Sequence, residues 1–209
     1  MKKDCISVAF VTVFTQPLST IPVPSGDSCK NLFGNNIDIV QAMTPEGYLI
    51  AAKNNPYVAI VINPAKIMFK AQNVDDLVAY VESYSKLIDT DGFSMNYKAF
   101  GINSEYEYSE LPSSTQEWMW NRFVNPSIDI SWDGKQCTRI SFRFVENTDD
   151  FMNIEVAPRD GLVNGLYVSV NHHHERLGSG LPCKNDLIRL FSHSSELLEN
   201  KYFKKIITD

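Results

Sequence analysis

The stretch "RISFRFVENTDDFMNIEVAPRDGLVNGLYVSVN" constrains the fold more than any other part of the chain. Ile140, Phe142 and Phe144 recur at every second residue, and Leu166, Val168 and Val170 repeat the pattern after two turns. A period of two is the pleat of a β-strand, whereas a helix with its period of 3.6 would scatter these side chains around its surface. The second half therefore predicts antiparallel strands with one oily face, turning at "NTDD" and running through "FMNIEVA" and "GLYVSVN". Just upstream, Ile128, Ile130 and Trp132 share a face, and Asp133-Gly134 predicts a tight hairpin turn into the Ile140 strand. Arg139 and Arg143 fall on the opposite face of that strand, with Asn153 and Glu155 on the next.

An oily sheet face needs a cover, and three segments carry helical spacing. The clearest begins at Asn73 as N-cap, places Asp75 and Asp76 beside the positive end of the helix dipole, and sets Val74, Leu77, Val78, Val81, Tyr84 and Ile88 on one side. Gly92 is suited to end it. Ser114 and Glu117 stand in capping-box spacing before Trp118, Met119, Trp120 and Phe123, which predicts a short helix. Two tryptophans so close predict either a broad buried face or one ring that meets another layer or a partner. The last helix starts near Asn185 or Asp186 and carries Leu187, Leu190, Phe191, Leu197 and Leu198, with Phe203, Ile206 and Ile207 docking the tail.

The front part reads as a first strand over 5–15, then a long irregular stretch punctuated by Pro17, Pro22 and Pro24. Strand-like runs at 47–54 and 57–71 follow, joined by a turn at Asn54, Asn55 and Pro56. The strand over 93–109 shifts phase near Gly101, which predicts a β-bulge there. The order predicts an α+β fold: two antiparallel-sheet halves, residues 1–110 and 111–209, each covered on one face by about one amphipathic helix. The halves form two domains or one continuous one. No repeat is visible in the sequence.

At 209 residues the chain can bury its own core. Net charge is −6, and residues 1–134 hold 9 Lys+Arg against 15 Asp+Glu, so nucleic acid is disfavoured as a partner. Cys5, Cys29, Cys137 and Cys183 form no C-x-x-C pair and read as reduced, mostly buried thiols, which predicts a cytoplasmic location. Lys2 and Lys3 before "ISVAFVTVFT" resemble a signal peptide, but Asp4 interrupts the basic region and no small-x-small cleavage site follows. No run approaches a membrane span, so no membrane association is predicted.

The stretch "VSVNHHHERLGSGLPCK" holds three of the four histidines. On a strand, His172 and His174 project to one face at a spacing two imidazoles need to share a metal, and Glu175 or His193 would complete the set. Zinc or another first-row divalent metal is the cofactor this would hold; the bland alternative is a solvated strand end. The Gly-Ser-Gly loop lacks phosphate-loop order. Ser192 and Ser194 flank His193 but diverge from it on a helix, so they give no dyad, and the pairs Asp75/Asp76 and Asp149/Asp150 read as helix-start and turn residues.

The segment "INPAKIMF" leading into a long amphipathic helix, and the ending "RLFSHSSELLENKYFKKIITD", resemble a sporadically distributed family of uncharacterised bacterial proteins of about this length. That resemblance implies no activity. The residues themselves predict a non-enzymatic binding or assembly module, with a protein partner or a second copy meeting Arg139, Arg143, Trp118 or Trp120 and no cofactor. A metal-dependent hydrolase built on His172, His174, Glu175 and His193 is the alternative.

Overall fold

In the computed structural model, residues 1–19, 27, 30, 37–44, 47–52, 55–90, 95–124 and 137–208 are described. Lys2–Phe14 forms β1, a β-rich run of Val, Ile, Phe and Thr whose even residues Val8, Phe10, Thr12 and Phe14 are buried on one side. It pairs antiparallel on one flank with β5 (Lys66–Ala71) and on the other with β6 (Asn96–Ser109). Beyond β5 lie β4 (Asn55–Asn63), β3 (Gly47–Ala52) and β2 (Ile37–Thr44). Beyond β6 lie β9 (Leu166–His174), β8 (Asp150–Pro158) and β7 (Ile140–Val145). All pairings are antiparallel, and the order is β2-β3-β4-β5-β1-β6-β9-β8-β7, with the two-residue β10 (Gly178–Ser179) on β6. The expected α+β class is what the structure shows, as one continuous sheet.

Among the described residues three helices supply the cover. In α1 (Val74–Thr90) the backbone N–H of Asp76 donates to Asn73 Oδ1 at 2.9 Å, as the N-cap reading requires, and Leu77, Val78, Val81 and Tyr84 are buried. It packs on β5 and β1. In α2 (Thr115–Phe123) the N–H of Glu117 donates to Ser114 Oγ. The last helix, α3 (Lys184–Leu197), packs on α1 and β6 and continues as a π-helical segment, Leu198–Thr208, whose Tyr202, Phe203, Ile206 and Ile207 are buried. Its start is one or two residues earlier than the sequence suggests, with Cys183 at the cap.

Two expectations need correction. The run 57–71 is not one strand: Asn63 Oδ1 accepts from the N–H groups of Ala65 and Lys66, and this Asx turn splits it into β4 and β5. Nor does the bulge lie at Gly101, which pairs regularly with Val11; the register shifts fall between Cys5 and Ser7 and between Val13 and Phe14. The hairpin expected at Asp133-Gly134, the Pro22–Pro24 stretch and Gly92 lie outside the described residues.

Two glycines behave differently for this reason. A Cβ on Gly101 would meet nothing closer than Asn171 Nδ2 at 3.8 Å, so Gly101→Ala leaves stability nearly unchanged. A Cβ on Gly178 would lie 2.2 Å from Tyr97 Oη, and Tyr97 packs edge-on against Phe100. Gly178→Ala must push that ring aside and costs about 1–3 kcal/mol, read by chemical denaturation. Equal midpoints for the two variants would contradict this packing.

Candidate functional site

The alternation that builds β9 sorts its histidines by face. Leu166, Val168, Val170 and His172 point under the helices and are buried, His172 at 1% exposure; His173 points to the other side. The fully buried neighbours on that inner face come from β6 and β8, where Ile102 and Met152 stand directly opposite His172. His174 stands between Phe100 and Asp150. Its ring stacks on Phe100 at 4.7 Å, and its Nδ1 lies 2.7 Å from Asp150 Oδ1. A carboxylate only accepts, so Nδ1 carries the proton and donates it, leaving Nε2 as a bare lone pair. That Nε2 is buried without a partner among the described residues, and so is His172 Nδ1.

The rings of His172 and His174 have centroids 4.1 Å apart, and His193, exposed on α3, brings its ring within 6.1 Å of His172. Burial, with His174 and His193 beside it, drives the His172 pKa down to about 4, so the ring is neutral at pH 7. Burial likewise lowers His174, partly offset by Asp150. Asp150 is itself held low by the hydrogen bonds from Asn147 and His174, which outweigh its burial.

Glu175 does not join this group. Its carboxylate lies 3.8 Å from His173 Nε2, and His173 stacks on Phe151 at 4.6 Å. Among the described residues no three His, Cys, Asp or Glu side chains are already arranged to hold a metal ion. By its place in "NTDD" Asp150 is expected only as a turn residue. It is that too, since Asn147 Oδ1 accepts from its N–H, and the length of the "NTDD" turn fixes which strand residue faces His174.

The other side of the sheet carries a second arrangement. Arg143, Asn153, Asn171 and Asn103 stand directly opposite one another across β7, β8, β9 and β6, in one row that runs on through Ala9 of β1 to Lys70 of β5. Arg143 Nε donates to Asn153 Oδ1 at 2.8 Å, and its guanidinium lies 4.4 Å over Phe151. Asn103 Oδ1 is buried without a partner. The charges around the row are paired: Arg139 with Glu155 at 3.2 Å, Lys70 with Glu105 at 2.9 Å, Arg159 with Glu107 at 2.7 Å. A hollow of ≈ 480 Å³ opens at the end of this face beside Arg139, Glu155 and Tyr167.

Trp118, on the short helix it shares with Trp120, does not belong to that face. Both are half-buried; Trp118 meets Phe123 edge-on at 5.7 Å, and Phe123 meets Phe142 of β7 at 5.7 Å, so the aromatic helix leans on the inner side of the sheet. Of the described cysteines Cys137 is buried, but Cys5 and Cys183 are exposed, contrary to the reading of mostly buried thiols. Cys5 lies towards the outer end of β1, and Cys183 caps α3.

Compared with known proteins, the chain matches no family profile and no curated sequence. No helix among the described residues is long and apolar enough to cross a membrane.

Proposed function

We propose that the chain is a non-enzymatic, cytoplasmic assembly module, and that the face bearing Arg143, Asn153, Asn171 and Asn103 meets the same face of a second copy. The row itself carries this reading. Each asparagine offers both a donor and an acceptor, so the row can satisfy its own image across a two-fold axis. Arg139, Lys70 and Arg159 already hold carboxylates, which leaves little free positive charge for a polyanion and suits a neutral polar partner.

The same reading takes residues 1–110 and 111–209 as two halves, each under about one helix and fused where β6 pairs with β9. In support, one buried cluster gathers α1 with β1, β4 and β5, and the other gathers α2 and the π-helical segment with β8 and β9.

Sedimentation velocity across a concentration series tests the proposal. The unmodified chain self-associates, and Arg143→Glu or Asn171→Arg weakens association roughly tenfold or more, since a polar group left unpaired in an interface costs about 1–3 kcal/mol. Glu196→Arg, on the exposed side of α3, leaves it unchanged. A monomer at every concentration, or an association indifferent to Asn171→Arg, contradicts the reading.

A further inference from the structure

We propose that His172 and His174 of β9, closed by His193 of α3, form a binding site for a first-row divalent cation of the zinc type. One ligand atom is already prepared. Asp150 holds the proton of His174 on Nδ1 and aims the bare Nε2 inward, the carboxylate–histidine arrangement that orients metal-ligating imidazoles. Phe100 fixes the plane of that ring by stacking. His172 Nδ1 lies buried beside it, and neither nitrogen has a partner among the described residues. Two such atoms left unsatisfied destabilise the fold, and one cation would satisfy both.

The spacing agrees. An imidazole bound at about 2.0–2.1 Å through nitrogen puts its ring centre roughly 3 Å from the metal, so two rings at a tetrahedral angle have centres roughly 5 Å apart. The observed separations, 4.1 Å for His172–His174 and 6.1 Å for His172–His193, straddle that value. His193 is exposed, so its side chain can turn inward without unpacking the core. The nearby Asp150 carboxylate offsets part of the incoming charge. Glu175, turned to His173 across the sheet, is not a ligand.

The full chain, free of any tag and stripped with chelator, is titrated with zinc chloride and, separately, cobalt chloride. One zinc per chain is expected by calorimetry and elemental analysis, with a raised melting temperature and the intense visible absorption of four-coordinate cobalt. His193→Gln, a surface change that leaves the fold intact by circular dichroism, and His174→Gln each abolish the cobalt spectrum. Asp150→Asn weakens zinc roughly 10–100-fold, while His173→Ala and Glu175→Gln leave it unchanged. Retention of no zinc, which would leave a bridging water as the partner of both nitrogens, overturns the proposal. So does binding that survives His193→Gln and His174→Gln, or binding lost equally with His173→Ala.

Discussion

In the presence of chelator, lowering the pH from about 6.5 to 4 destabilises the fold by about 3 kcal/mol through His172 alone. Its folded pKa is about 4, against 6.5 for a free imidazole. Between those values the unfolded chain takes up a proton that the folded chain refuses, so stability falls as the pH falls and levels out once the folded ring also protonates. Every group facing it acts within the same cluster. His174 beside it on β9 and His193 on α3 oppose its charging, whereas Asp150 on β8 and Glu146 in the turn favour it. His174 shifts in the same direction and steepens the slope. Urea unfolding at pH 7 and at pH 4.5 reads the effect. A chain equally stable at both would mean that His172 charges freely in the fold, contrary to its burial. His172→Phe, which fills the same space without a titrating group, should flatten the curve if it folds.

Phe203→Ala is expected to cost roughly 3–5 kcal/mol, the range for a large core aromatic cut back to a methyl. Phe203 is 3% exposed and meets Tyr106 and Tyr108 edge-on at 5.7 and 5.9 Å, with the Lys3 ammonium 4.5 Å above its ring. Lys3 also pairs with Glu199, so the π-helical segment is held against both β1 and β6. Phe151→Ala, on the outer face against His173 and Arg143, loses a half-buried ring pair and should cost only about 1 kcal/mol. Denaturant midpoints of the two variants decide; similar losses would show that the tail is not docked as described.

Much of this was readable from local pattern. Val74 to Tyr84 gave the long helix because its spacing, its Asn73 cap and its acidic first turn agree, and agreement among independent signals is what makes a segment foldable one way. Ile140 to Phe144 and Leu166 to Val170 gave their strands because one face is buried and the other is not. Local pattern cannot see pairing at a distance. That Lys2–Phe14 would zip against Asn96–Ser109, and so merge the strands into one sheet, depends on contacts about ninety residues apart. The continuous apolar run 57–71 hid its own turn, because β4 and β5 are apolar on either side of Pro64. The histidines drew notice by their number, but Asp150, Asn103 and Asn171 acquire meaning only from register, and a one-residue slip would reverse every face.

The claim that two copies meet through the outer face is tested most directly by a distance. With Cys5, Cys29 and Cys183 replaced by serine, a nitroxide is attached at Ser141→Cys, an exposed position on the outer face beside Arg143, or at Ser192→Cys on α3. Dipolar electron resonance on the associated chain should give a narrow distance between copies that is shorter for the label at 141 than for the label at 192. A longer distance at 141, or no coupling at either position at concentrations where the chain is associated, would contradict it.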